Sequence, residues 1–235
     1  MGTKAVEPQS IRNVTLFGAT AGPLHRLGGP AAAETHWATD GVEHTIRLTA
    51  VSRQTSVAEL EREIRVADGV IAVMDAAVGP TARLATMLRA ADDHQVARLC
   101  LIEGLDRPGA DFARCVRALA DIRGAVPVLL QVPRGGAVID LTRVSAFEPQ
   151  AVEIYGPDWE LAERSYRTLI AAVTAPGAVP EIPPAELHRR LRRLTRIGDV
   201  VPVLCGAELG PLLDAIARYL PSPMDVCQPE HALDY

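Results

Sequence analysis

The residues best placed to do chemistry lie near the start of the chain. An apolar run, Val14 to Gly18, leads into the string Gly18-Ala19-Thr20-Ala21-Gly22-Pro23-Leu24. Glycines between a strand and a helix let successive backbone amides surround a phosphate. In the working form of such a loop, GxxxxGK[ST], a lysine reaches the terminal phosphates and a hydroxyl holds magnesium. Here the glycines are one residue closer together. Pro23 stands where the lysine belongs and Leu24 where the hydroxyl belongs. Proline also removes one amide from the cradle. Lys4 is the only lysine among 24 basic residues, so no shifted lysine can take over.

The remaining reactive side chains do not assemble by spacing. The histidines (His25, His36, His44, His94, His188, His231) show no metal-ligand or catalytic pairing. Cys100, Cys115, Cys205 and Cys227 form no CxxC pair and read as buried thiols of a reducing cytoplasm. No catalytic residue and no metal site is therefore expected. Arg189, Arg190, Arg192, Arg193 and Arg196 cluster on a helix whose Leu187, Leu191 and Leu194 face inward. Such a face suits RNA phosphates or an acidic protein, and equally a solvated surface. The net charge of -5 argues against a protein whose whole surface binds nucleic acid, and no DNA partner is expected. The first ten residues lack the apolar stretch of a signal peptide, and no apolar run approaches the roughly 20 residues of a membrane span. A cytoplasmic protein with no membrane contact is expected.

Short apolar runs alternate with amphipathic helical patterns, and these elements must position the loop. VTLFG (Val14 to Gly18) and HTIRLTAV (His44 to Val51) read as strands. Val57, Leu60 and Ile64 share a helical face within Thr55 to Ile64. GVIAVMDA (Gly69 to Ala76) is nearly all apolar, as a buried parallel strand should be. A helix starting at Pro80, a strand VARLCLIE (Val96 to Glu103), a helix marked by Phe112, Val116 and Leu119, and a strand VPVLLQVP (Val126 to Pro133) follow. Near the end come VVPVLCG (Val200 to Gly206) and a helix carrying Leu209, Leu212, Leu213 and Ile216. Strands alternating with helices imply a doubly wound, mostly parallel sheet. From about Gly135 to Arg196 the rhythm breaks into short β-like pieces (VIDLT, AVEIYG), a helix over Trp159 to Val173, a proline-rich break and a basic helix from Pro184 to Ile197.

Several strings resemble elongation factor G. RVADGVIAVMDAAVG (Arg65 to Gly79) is similar to that family's fourth-strand segment. LDRPGADFARCVRALADIRGAVPVLLQVPRG (Leu105 to Gly135) is similar to the helix after its guanine-reading motif and the entry to its insertion. VIDLT (Val138 to Thr142) resembles the inserted strand. VPVLCGAELGPLLDAIARYLPSPMDV (Val201 to Val226) resembles the fifth nucleotide motif and the closing helix. The resemblance implies an α/β fold of the P-loop NTPase type, with an inserted α+β subdomain. Residues 1–134 and 198–226 would form the core, 135–197 the insertion and 227–235 a tail.

The same resemblance locates the other nucleotide motifs. The magnesium-linked carboxylate becomes Thr49, the γ-phosphate-sensing glycine Ser52 and the water-orienting histidine Arg53. Between Gly22 and His44 nothing matches the first switch segment. Asn-Lys-x-Asp appears as Glu103-Gly104-Leu105-Asp106, so only the guanine-binding carboxylate, Asp106, is kept; it could instead cap the next helix. Cys205-Gly206-Ala207 keeps the fifth motif, with the Ala207 amide facing guanine. Gly18, Gly22, Asp106, Gly206 and Ala207 are thus the candidate remnants of a guanine-nucleotide site. The expectation is a pseudo-GTPase contacting a protein or the ribosome, needing no cofactor and binding GTP or GDP weakly if at all. The alternative is a divergent translation factor that still binds or hydrolyses GTP.

Overall fold

β4 (Gly69–Asp75) and β5 (Ala97–Glu103) are buried along their whole length, as their continuous apolar sequences require. They lie at the centre of a seven-stranded sheet. The computed structural model describes residues 7–19, 21–52, 54–124, 126–143, 159–174 and 182–226. The remaining strands are β1 (Ile11–Gly18), β2 (Ala32–Thr39), β3 (Val42–Ala50), β6 (Pro127–Leu129), β7 (Gln131–Arg134), β8 (Ala137–Asp140) and β9 (Val201–Cys205). The order is β2-β3-β1-β4-β5-β9-β6, with β7 and β8 forming a separate two-stranded ribbon. Only the β2–β3 pair is antiparallel within the large sheet.

The helices are α1 (Gly22–Arg26), α2 (Val57–Val66), α3 (Ala82–Asp93), α4 (Phe112–Ala120), α5 (Trp159–Val173), α6 (Pro184–Arg196), α7 (Leu209–Tyr219) and α8 (Pro223–Val226). The starts of α2, α3 and α4 are set by side chains that satisfy free amides. Ser56 and Glu59 form a capping box on α2. Thr81 accepts from the Leu84 amide on α3. Asp111 accepts from the Arg114 amide at 2.7 Å on α4. α2 packs on α3 and α6 on α7, and with β4 and β5 wholly buried both sheet faces are covered. This is the doubly wound, mostly parallel α/β architecture expected from the alternating pattern.

Two elements differ from the sequence reading. β2 has no counterpart in it. This strand forms a hairpin with β3 through Asp40 (φ 52°) and Gly41 (φ 78°), two left-handed residues in a two-residue turn. The run Val126 to Pro133 is not one strand. It breaks at Leu130, whose amide donates to the Val203 carbonyl while its own carbonyl accepts from Leu141. The chain thus leaves the large sheet and enters the β7–β8 ribbon. AVEIYG and most of the proline-rich break lie outside the described residues. No helix among the described residues is long and apolar enough to cross a membrane.

Candidate functional site

The candidate residues come together at the carboxyl ends of the parallel strands, where open α/β sheets bind ligands. Gly18 is the last residue of β1 and Gly22 the first of α1. Asp106 follows the end of β5, and Gly206 and Ala207 follow β9. β5 and β9 are neighbours, with Ile102 opposite Cys205.

The loop is pinned to the sheet by its backbone. The Ala19 amide donates to the Val73 carbonyl at 2.8 Å. Gly18 adopts φ 126°, and a Cβ there would lie 2.0 Å from that same carbonyl oxygen, so no other residue fits. After the loop the chain makes only five helical residues. Pro23 and Leu24, at the positions expected for lysine and hydroxyl, are both buried in α1. Leu24 is fully enclosed in the apolar core. A cavity of about 330 Å³ opens beside Gly18 and Ala21. Its walls among the described residues, including Phe17, Pro30, Val51 and Ser52, hold no charged side chain.

The charge near the loop is an internal pair. Arg26 Nη2, from α1, donates to Glu103 Oε1 at 2.5 Å. The Glu103 side chain is only 10% exposed. It lies so close to the loop that a Cβ on Gly22 would be 2.6 Å from Glu103 Oε2. A carboxylate therefore faces the second loop glycine. A second pair lies next to it, where Arg107 reaches back to Asp75 at the end of β4. Arg107 crosses over Gly104, which takes φ 72°.

Asp106 is exposed and makes no hydrogen bond or ion pair with the described residues. It does not cap α4. Turns closed by Arg107 N to the Gly104 carbonyl and Ala110 N to the Arg107 carbonyl carry the chain past it to the cap, which is Asp111. Gly206 takes φ 94° and donates its amide to the Ile102 carbonyl at 3.0 Å. Ala207 is exposed.

The segment aligned with the magnesium and water motifs is held by other means. Thr49 lies in β3, its hydroxyl 3.4 Å from that of Thr15. Arg83, from α3, donates to the carbonyls of Thr55 (2.7 Å) and Ser52 (3.3 Å). Arg53 lies outside the described residues.

The arginine-rich helix α6 is mostly committed to its own fold. Arg189 and Arg190 both pair with Glu186. Arg192 donates to the carbonyls of Arg218 and Leu220 and to Asp225, and Arg196 pairs with the same carboxylate. The free carbonyls at the end of α7 explain this use of Arg192. Spacing alone could not show it, because Asp225 lies 33 positions away. The thiols Cys100 and Cys205 are pushed up to about 12 by burial, and with Cys115 they are buried free cysteines. Such thiols are inert packing groups.

A seven-stranded, mostly parallel sheet flanked by helices, with a glycine turn between β1 and α1, defines a G-domain-type α/β protein. Residues 55–222 match the Elongation factor Tu GTP binding domain. The chain belongs to that family, as an elongation factor G-like translational GTPase domain. The matched residues begin beyond the glycine loop and beyond Thr49 and Ser52. The chain is 38% identical over 193 residues to Elongation factor G 2 of Streptomyces coelicolor, an overlap of 72% of this chain and 28% of that protein. It thus spans less than a third of that relative. A crystal structure of a Thermus thermophilus protein shares the fold, with a TM-score of 0.68 at 19% identity, covering 93% of this chain and 41% of its own.

Proposed function

We propose that this domain is a pseudo-GTPase, an elongation factor G-like scaffold that contacts a protein or the ribosome without using nucleotide. The observation that carries this reading is the Arg26–Glu103 pair set against Gly22. Triphosphate binding needs cationic groups and amides around its oxygens. Here a carboxylate faces the loop, while Pro23 and Leu24 fill the positions that would supply ammonium and magnesium-holding oxygen. These residues do not fit a magnesium–triphosphate. Removing one preorganised donor from such a site costs on the order of 10²-fold in rate. Several are replaced together in this chain. In this reading residues 135–197 are an insertion into the core formed by 1–134 and 198–226. The domain is cytoplasmic and takes no membrane or DNA partner.

A second reading rests on Asp106. Its exposed carboxylate, without an ion pair among the described residues, follows β5, the neighbour of the strand that leads into Gly206 and Ala207, and suits the edge of a purine; this favours a divergent factor keeping weak guanine contact. Phosphate release from GTP, with and without ribosomes, separates the two. The pseudo-GTPase reading expects release at the rate of buffer alone, and ribosome-stimulated turnover would replace it with the second.

A further inference from the structure

We propose that two copies of this chain associate by antiparallel pairing of their β2 strands, about a two-fold axis through Thr35. β2 is the last strand of the seven-stranded sheet, and no strand among the described residues pairs with its outer side. The two ends of the sheet differ. At the far end, β6 is three residues long and begins with Pro127, a short and blunted edge. β2 runs for eight residues, pairs with β3 at eight consecutive positions without a bulge, and contains no proline or lysine. Such an edge is a template for another strand.

The phase of the hairpin fixes which groups point outward. The Ala50 amide donates to the Ala31 carbonyl at 2.8 Å, so Ala31 and Ala50 are a hydrogen-bonded pair. Hydrogen-bonded and non-bonded pairs alternate along an antiparallel ladder. Ala33, Thr35, Trp37 and Thr39 therefore turn their amides and carbonyls toward β3. Ala32, Glu34, His36 and Ala38 turn theirs away from it. A two-fold through Thr35 sets Ala32 against Ala38 and Glu34 against His36, once in each direction. All four outward residues of each copy are used, and each facing pair exchanges two hydrogen bonds.

Side-chain charge selects this register over its neighbours. Glu34 and His36 are exposed and lie on one face of β2. Glu34 already accepts from Arg47 of β3 at 2.7 Å. In the proposed register the rows across the interface place Arg47, Glu34 and the His36 of the second copy side by side. A slip of two residues one way sets Glu34 against Glu34, and like charges directly opposite are unfavourable; a slip the other way sets His36 against His36 and gives up both Glu34–His36 contacts. On the other face the Trp37 ring, fixed by its 2.8 Å hydrogen bond to Asp214, meets the small Ala33 of the second copy. One strand on each side is a small contact, so the dimer is weak and concentration-dependent.

Sedimentation velocity of the full chain over a concentration series tests this directly. Wild type is expected to shift from monomer to dimer as concentration rises. His36→Pro removes an outward amide that β3 does not use, and is expected to abolish the dimer while the circular dichroism of the folded domain is kept. His36→Glu sets carboxylates opposite one another twice by symmetry and is expected to weaken the dimer on the order of tenfold. Adding Glu34→His to it exchanges the two side chains, again setting one imidazole against one carboxylate at each site, and is expected to restore association. A wild type that stays monomeric throughout overturns the proposal. So does a dimer indifferent to His36→Pro and His36→Glu, or a double variant no better than His36→Glu alone.

Discussion

Arg26 Nη2 lies 2.5 Å from Glu103 Oε1, joining the helix after the glycine loop to the end of β5. The two residues are 77 positions apart, so the contact ties the glycine loop to the carboxyl end of a central strand. The pair is partly enclosed, with Arg26 31% and Glu103 10% exposed, so neither charge is fully solvated when its partner is lost.

Glu103→Ala should therefore destabilise the fold by about 1–3 kcal/mol. Urea unfolding followed by circular dichroism measures it. The variant should remain folded, because the Gly18 turn is held independently by the Val73 carbonyl.

The arginines of α6 should divide by role. Arg192 holds the carbonyl end of α7 and the Asp225 carboxylate. Arg192→Gln should cost about 2 kcal/mol, since several acceptors lose a charged donor together. Arg193→Gln, at a solvent-facing position, should stay within about 0.5 kcal/mol of wild type. Equal effects in urea unfolding would contradict the assignment.

Acid should weaken the fold through two histidines. Burial is the main cause that lowers both His44 and His188; the Arg12 charge adds to it at His44 and that of Arg218 at His188. A folded value below the unfolded one means that the unfolded chain takes up protons first. The stabilising contribution is complete above the ordinary histidine value near 6.5 and is lost as pH falls through the lowered folded values. The melting temperature should fall on acidification through this window. His188, whose Nδ1 lies 2.7 Å from the Tyr219 hydroxyl, should carry part of the slope, so His188→Gln should flatten it.

The legible parts of the fold are those where burial leaves a strong mark on composition. β4 and β5 are buried throughout and read as continuous apolar runs. β2 escapes because it alternates half-buried and exposed positions using Ala, Glu, Thr and His, with little contrast in polarity. The Asp40-Gly41 pair is the available signal, since both residues are needed in a tight left-handed turn. Pro23 and Leu24 are readable as substitutions in the glycine loop. That Glu103 sits against Gly22, and that Arg26 turns to meet it, depends on tertiary contact and leaves no local pattern. Asp106 has the chemistry of a helix cap, but the added turn at Gly104 to Ala110 hands that role to Asp111.

Isothermal titration calorimetry of the full chain with GDP, and with GTP plus magnesium, tests the central claim most directly. A loop faced by a carboxylate and lacking its lysine should give no binding heat up to about millimolar nucleotide. A saturable isotherm with a dissociation constant on the order of micromolar would show that the phosphates find their charges elsewhere, and would contradict the account.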